Sequence, residues 1–313
     1  MSSKICIISG PTASGKTGLS IELAKLYSGE VINFDSLLLY KEINIGTAKP
    51  TPLEIGNIKH HMIDIASISS PINASDYMKM TLPIIEELLS KDKMIFLSGG
   101  SGFYLQAVLY GMFDSKTTPK DILEKSEALF QTEGIKPFVD ILKIHDPVSF
   151  ERYHENDHYR IRRAVEHFWH NNSPFSTARE DMMENRDENS NIKKFGWDIH
   201  HIYLDLPKDE HFEIIQKRTT QMLEDGLIEE VKNLLRQGFK GDEKPLQSIG
   251  YKETIEYLNN HLTIDEMQER INISTRQLAK AQRTWFKKVD KIEYHPLEER
   301  DKIKSDFEQF LKN

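Results

Sequence analysis

The run Gly10-Pro11-Thr12-Ala13-Ser14-Gly15-Lys16-Thr17 places two glycines, a lysine and a hydroxyl where they can act together on a phosphate. It fits the P-loop pattern G-x-x-x-x-G-K-[ST]. The glycines let backbone N–H groups converge on an anion, Lys16 reaches the terminal phosphates, and Thr17 can offer its hydroxyl to Mg²⁺. A diphosphate site is therefore expected, but the motif does not say which diphosphate. Most P-loops serve kinases and NTPases, where an aspartate at the end of a hydrophobic strand usually holds the metal. Asp35, after VINF, and Asp205, inside HIYLDL, are the candidates for that role, because KMIFLSGG ends in Ser98 and glycines.

The elements that must position these residues alternate. KICIIS reads as a strand and Lys16 to Tyr27 as a helix, with EVINFD a second strand. LPIIEELLSKD is a second helix and KMIFLSGG a third strand. Such alternation predicts a parallel α/β sheet, with Asp35 at the C-terminal end of its strand beside the loop. Beyond Gly111 strand signals give way to helix starts at Thr118-Pro119, Asp146-Pro147 and Asn156-Asp157, each offering a capping side chain. The polar run REDMMENRDENSNIKK reads as a mobile loop, HIYLDL as one more strand, and the remainder as helix. The expected organisation is a P-loop NTPase-like α/β core begun in residues 1–111, a helical insertion in 112–197, and completion of the core with C-terminal helices in 198–313.

Bulk properties narrow the class. The chain has 313 residues, is 38% hydrophobic and 29% charged, and carries a net charge of −8. No apolar run approaches the roughly 18 residues of a membrane span, and the start is too short in apolar residues for a signal peptide. A single cysteine, Cys6, excludes an internal disulfide and a multi-cysteine zinc site, and its apolar strand makes it core. A cytoplasmic protein is expected. The acidic balance argues against indiscriminate nucleic-acid binding, yet one segment departs from it. Arg276, Lys280, Arg283, Lys287 and Lys291 are spaced four, three, four and four, within an arc of about 80° on a helix. Leu278, Ala281, Trp285 and Val289 fall opposite, so the helix is expected to dock by that side and present a basic stripe. A solvated helix face is the plainer alternative. His60-His61 lacks a companion ligand cluster and reads as structural, and Trp285 as packing.

Several further blocks carry a resemblance: Asp35-Ser-Leu-Leu-Leu-Tyr-Lys, Asn44-Ile-Gly-Thr-Ala-Lys-Pro50, His60-His-Met-Ile-Asp-Ile65, Gly99-Gly-Ser-Gly-Phe-Tyr104, and Asn156-Asp-His-Tyr-Arg-Ile-Arg-Arg-Ala-Val-Glu166. Arg218 with Met222-Leu-Glu-Asp-Gly226, Ser248-Ile-Gly-Tyr-Lys-Glu253 and Thr275 to Phe286 follow. In order and spacing, from about residue 8 to about 290, the chain resembles the tRNA dimethylallyltransferases. It departs from many members in having Leu38 where they have glutamine and Ser101 where they have threonine. The single cysteine leaves no zinc finger, which points to the bacterial type.

The resemblance implies transfer of a dimethylallyl group from dimethylallyl diphosphate to N6 of the adenosine at position 37, beside the anticodon of tRNA, with Mg²⁺ as cofactor. It implies that Asp35, Thr12, Lys16 and Arg218 carry the chemistry, Asp35 as general base and Arg218 as a diphosphate clamp. The alternatives are a turn-capping or metal-holding role for Asp35 and a surface pair with Glu213 or Glu224 for Arg218. The resemblance also implies contact between the tRNA anticodon stem-loop and Asp35, Ser36, Leu37, Leu38, Ser101, Tyr159, Arg160, Ile161, Arg162, Arg163, Gln247, Ser248, Ile249, Gly250, Tyr251, Lys252, Lys280, Arg283 and Lys287. A monomer without membrane or obligate protein partner is expected. An adenylate prenyltransferase and a P-loop kinase are the rival readings. An RNA-sized insertion and a basic helix count against the first, and the family blocks against the second.

Overall fold

Six parallel strands form one sheet in the order β3-β2-β4-β1-β5-β6 in the computed structural model, which describes residues 3–112, 118–184 and 187–313. The strands are β1 Ser3–Ser9, β2 Glu30–Asn33, β3 His60–His61, β4 Ile95–Gly99, β5 Trp197–Leu204 and β6 Ile292–Tyr294. The apolar run of β1 follows from its central place: Ile5 to Ile8 are fully buried between β4 and β5, and a strand covered on both faces does not alternate. Cys6 is part of this core. On one face of the sheet, Leu19, Leu23 and Ala24 of the Lys16–Leu26 helix join Val31, Phe96 and Ile202, and Ile303 and Phe307 of the Arg300–Lys312 helix complete the cluster.

The parallel α/β reading holds, with two strands and several helices added. β3 and β6 are two and three residues long, too short to show a period. The polar run expected to loop is largely helical, divided between Phe175–Glu184 and Asn191–Phe195, with residues 185–186 outside the described part. Ser190 and Asn191 within it are buried, so tertiary contact decides where composition does not. Asp146 caps the Pro147–Arg152 helix through the Ser149 N–H, and Asp157 caps His158–Asn171 through the Arg160 N–H. The third expected start shifts by one: Pro119 itself stands at the cap of Lys120–Glu133, without a side-chain bond, and Thr118 lies outside.

Residues 1–109 and 195–313 form one compact unit and residues 110–194 another. The second has its own core of Phe138, Leu142, Ile161, Ala164 and Val165. Its buried Glu166 accepts from Ser126 Oγ at 2.6 Å and pairs with Arg163 at 2.8 Å, so the charge is not left unpartnered.

Candidate active site

Where β1, β2 and β4 end, the chain leaves a cavity of about 240 Å³. The loop 12–17 forms one wall, Asn33 and Asp35 another, and Ser98 and Gly99 the floor, with Leu38, Thr47, Ala48, His60, Ile63 and Arg218 around them. Ligands in open α/β sheets bind outside the carboxyl ends of the strands, and the order of this sheet, with β4 inserted between β1 and β2, opens such a crevice here.

The loop is built for an anion. Gly10 has φ +154°, and a Cβ there would stand 2.3 Å from the Leu204 carbonyl oxygen. Gly15, at φ +83°, leads into the Lys16–Leu26 helix with no side-chain cap and no acidic residue in its first turn. The helix-end N–H groups and their partial positive charge are thus left for a ligand. The hydroxyl of Ser14 is buried without a hydrogen-bond partner, a cost that a phosphate oxygen would remove. Lys16 donates to the Pro11 carbonyl at 2.7 Å. Burial pulls its pKa down to about 8, Asp35 opposing the shift and Arg218 adding to it.

Asp35 sits two residues beyond β2 in a turn shaped by Asn33. The Asn33 amide donates to the Asp35 and Met62 carbonyls at 3.0 and 2.8 Å, its oxygen accepts from Asp35 N–H at 2.9 Å, and its own carbonyl accepts from buried Tyr77. Asp35 Oδ1 accepts the Leu37 N–H at 3.1 Å, which orients the carboxylate; the turn-capping reading and the cavity placement are both true. Gly99 is required beside it, because a Cβ would lie 2.6 Å from Phe34 C and 2.8 Å from Asp35 N. Ser101 Oγ accepts from Ser36 N–H at 3.0 Å, joining those two residues.

Arg218 reaches the cavity from the Lys208–Glu224 helix and donates to the Thr47 carbonyl at 3.4 Å. Burial lowers its pKa, with Asp35 as the opposing charge, so the surface pair with Glu213 or Glu224 is not its environment. The Asn44–Lys49 loop that supplies Thr47 is held by Glu230, which accepts from the N–H groups of Asn44, Ile45 and Gly46, and by Tyr251. A second depression of about 360 Å³ lies beyond that loop, lined by Glu42, Asp225, Glu229 and Glu230. Its acidic wall is unsuited to a diphosphate.

Other expectations are corrected. Asp205 is not free for a metal: Arg283 Nε binds its two oxygens at 2.8 and 3.0 Å. The Ile264–Phe286 helix docks by a face turned roughly 60–90° from the expected one, toward the basic stripe: Met267, Ile271, Ala279, Gln282 and Phe286 are buried while Leu278 is 40% exposed. Arg283 consequently turns inward and Arg276 lies between Glu269 and the Phe212 ring. The helix ends at Phe286, and Lys291 pairs with Glu293, so of the expected stripe Lys280 and Lys287 face solvent. Trp285 packs over Gly102, as a packing residue should. Of residues 247–252, Gln247 and Lys252 are exposed, Ser248 and Ile249 half-buried, and Gly250 and Tyr251 buried; the tyrosine is structural. In the 110–194 unit Tyr159 and Arg160 are exposed, Ile161 is core, and Arg162 pairs with Glu127.

Sequence reasoning missed Asn33, Thr47, Gln282 and His211, and it read His60 only as structural. Gln282 and Thr47 stood inside quoted blocks; His211 gave no local signal at all. Among the described residues no group of three His, Cys, Asp or Glu could hold a metal by itself, and no helix is long and apolar enough to cross a membrane.

The chain is similar to known proteins over most of its length. The family described as IPP transferase matches residues 38–289. A tRNA dimethylallyltransferase 2 of Geotalea uraniireducens is 37% identical over 93% of the chain and 92% of its own length. The tRNA dimethylallyltransferase of Acetivibrio thermocellus is 33% identical over 99% and 95%. Among solved structures, the full-length tRNA isopentenylpyrophosphate transferase of Bacillus halodurans superposes with a TM-score of 0.71 at 31% identity, covering 99% of this chain and 96% of that one. A eukaryotic dimethylallyltransferase acting on tRNA gives 0.84 at 25% identity, covering 99% and 80%.

Proposed function

Because this chain belongs to the IPP transferase family, we propose that it transfers a dimethylallyl group from dimethylallyl diphosphate to N6 of the tRNA adenosine beside the anticodon, releasing diphosphate. The observation that carries the reading is the single cavity in which the phosphate loop, Lys16, Arg218 and Asp35 meet. The chemistry needs those groups together. Adenine N6 is a weak nucleophile, its lone pair being delocalised into the ring, and an allylic carbon releases diphosphate only if the departing charge is stabilised.

The N–H groups of the loop, Lys16 and Arg218 meet the charge that grows on the leaving diphosphate. Asp35, oriented by Leu37 N–H, takes the proton from N6 as the N–C bond forms. The small and apolar side chains of Ala48, Ile63 and Leu38 suit the five-carbon group in the same cavity. Leu38 offers shape but no amide hydrogen bond where many relatives have glutamine. Mg²⁺ fits the donor set, since this ion keeps waters and phosphate oxygens and takes few protein ligands; Thr17 would hold it, and it would supply further neutralisation of the diphosphate.

The adenine must leave its stack to reach Asp35, as bases modified by enzymes do. Ser36, next to Asp35 in the chain and bonded to Ser101, the outward Lys280 and Lys287, Gln247 and Lys252, and Tyr159 and Arg160 of the insertion are the groups available to RNA. Incubation of the protein with unmodified tRNA and radiolabelled dimethylallyl diphosphate, with ATP and adenylate offered in parallel, tests the proposal. Label is expected in tRNA alone, without ATP consumption; label in adenylate, or phosphoryl transfer from ATP, would replace it with one of the rival readings.

A further inference from the structure

We infer that His211 is a positioning residue for the diphosphate loop, acting on the Thr12 peptide in concert with Gln282. The inference rests on the proposed diphosphate role of that loop. Thr12 is the first residue of the cavity wall, and both of its backbone polar groups are taken by side chains distant in sequence. Its N–H donates to Gln282 Oε1 at 2.7 Å, and its carbonyl receives His211 Nε2 at 2.8 Å. Gln282 is itself fixed by donating to the Gly100 carbonyl at 3.1 Å, at a glycine where a Cβ would meet the amide at 2.4 Å.

The histidine is held as firmly. Arg283 Nη2 lies 2.8 Å from His211 Nδ1, and a guanidinium can only donate. Nδ1 is therefore the acceptor, the ring is neutral, and Nε2 carries the proton given to Thr12. Arg283 is in turn fixed by Asp205 and by the Leu206 carbonyl at 3.2 Å. His211 is fully buried. The chain Asp205–Arg283–His211–Thr12 thus transmits the placement of β5 and of the Ile264–Phe286 helix to the start of the loop. Spending the Thr12 N–H on Gln282 leaves the N–H groups after it to face the anion, and fixes the peptide plane from which they depart.

The test uses the full chain, with inorganic diphosphate as the titrated probe, alongside tRNA affinity and steady-state prenylation. His211→Phe keeps the ring volume and removes both hydrogen bonds. It should weaken diphosphate binding about tenfold, as expected for one buried acceptor left unmet, while tRNA affinity stays within about twofold. His211→Gln, which can still donate to Thr12 and accept from Arg283, should return binding to within about threefold of wild type. Arg283→Met, which loosens the ring without touching Thr12, should cost diphosphate about threefold or more and leave tRNA binding alone. Should His211→Phe not fold, His211→Gln and Arg283→Met decide between them. Wild-type affinity for diphosphate in Arg283→Met overturns the inference, as does a His211→Gln chain as impaired as His211→Phe. A wild-type protein that does not bind inorganic diphosphate overturns the loop reading itself, a failure distinct from equal binding by wild type and variants.

Discussion

The cavity and the cationic segment 276–291 both concentrate positive charge, but they hold it differently. In the cavity, Lys16 and Arg218 face Asp35 across open space and lean on the carbonyls of Pro11 and Thr47. Their charge is kept for an incoming anion. In the segment, Arg283, Arg276 and Lys291 are each neutralised by an acid, and Lys280 and Lys287 are left outward. Spacing alone makes all five look alike. Partners decide which charge is functional surface and which is internal framework.

The sharpest way to break that contrast is at the carboxylate. Asp35→Asn keeps shape and most hydrogen bonding but cannot take a proton, and single-turnover transfer should fall by about 10²–10⁴ with tRNA and diphosphate affinities little changed. A rapid-quench measurement giving near-normal transfer would remove Asp35 from the mechanism, and recovery in excess Mg²⁺ would make it a metal holder instead. Next comes Gly99→Ala, whose new methyl collides with Phe34 and the Asp35 N–H. Displacing the base by a fraction of an ångström should cost about 10² in the same assay, and a crystal structure of the variant should show the Asp35 turn moved.

A smaller effect separates Lys16 from the paired cations. With a pKa near 8, it loses its charge as pH rises through that value, so diphosphate affinity should fall about tenfold per pH unit above it. Titration calorimetry between pH 7 and 9.5, values chosen to bracket that midpoint, should show the fall in wild type and a flatter, weaker profile in Lys16→Met. The smallest effect tests the segment: Lys280→Ala and Lys287→Ala should each reduce the slope of log tRNA affinity against log salt by about 0.7–0.9, whereas Arg283→Met should leave it unchanged. Equal slopes in all three would mean that outward and inward cations do not differ as described.

The sequence revealed the phosphate loop, its flanking strand and helix, and Asp35 at a strand end, because each depends on local backbone rules. It did not place the docking face of the Ile264–Phe286 helix closely enough, being off by roughly 60–90° about the helix axis. Hydrophobic periodicity assumes that a buried face is apolar, and here Asn272 and Gln282 are buried while Leu278 is not. Gln282 faces inward because it is consumed by two backbone groups, a fact stored at Thr12 and Gly100, far away in the chain. β6 and the Arg300–Lys312 helix lay in a tail that the family blocks did not reach, yet Phe307 packs at 4.9 Å from Tyr27 and 5.6 Å from Phe96. His211 was illegible for the same reason as Gln282. A lone histidine in Lys-Asp-Glu-His-Phe acquires meaning only from what meets it in space.

The pairing of Ser3–Ser9 with Trp197–Leu204, together with the hold of Gln282 on Thr12, bears on how the protein is born. The phosphate motif is synthesised before β5, and its central strand lacks one neighbour until the whole insertion has been made. At about 5–20 residues per second, the bracket on Thr12 arrives on the order of tens of seconds after the loop it holds. Through that interval an unfinished strand edge and an apolar run stand open to solvent or to a chaperone. The motif is written before the contacts that shape it.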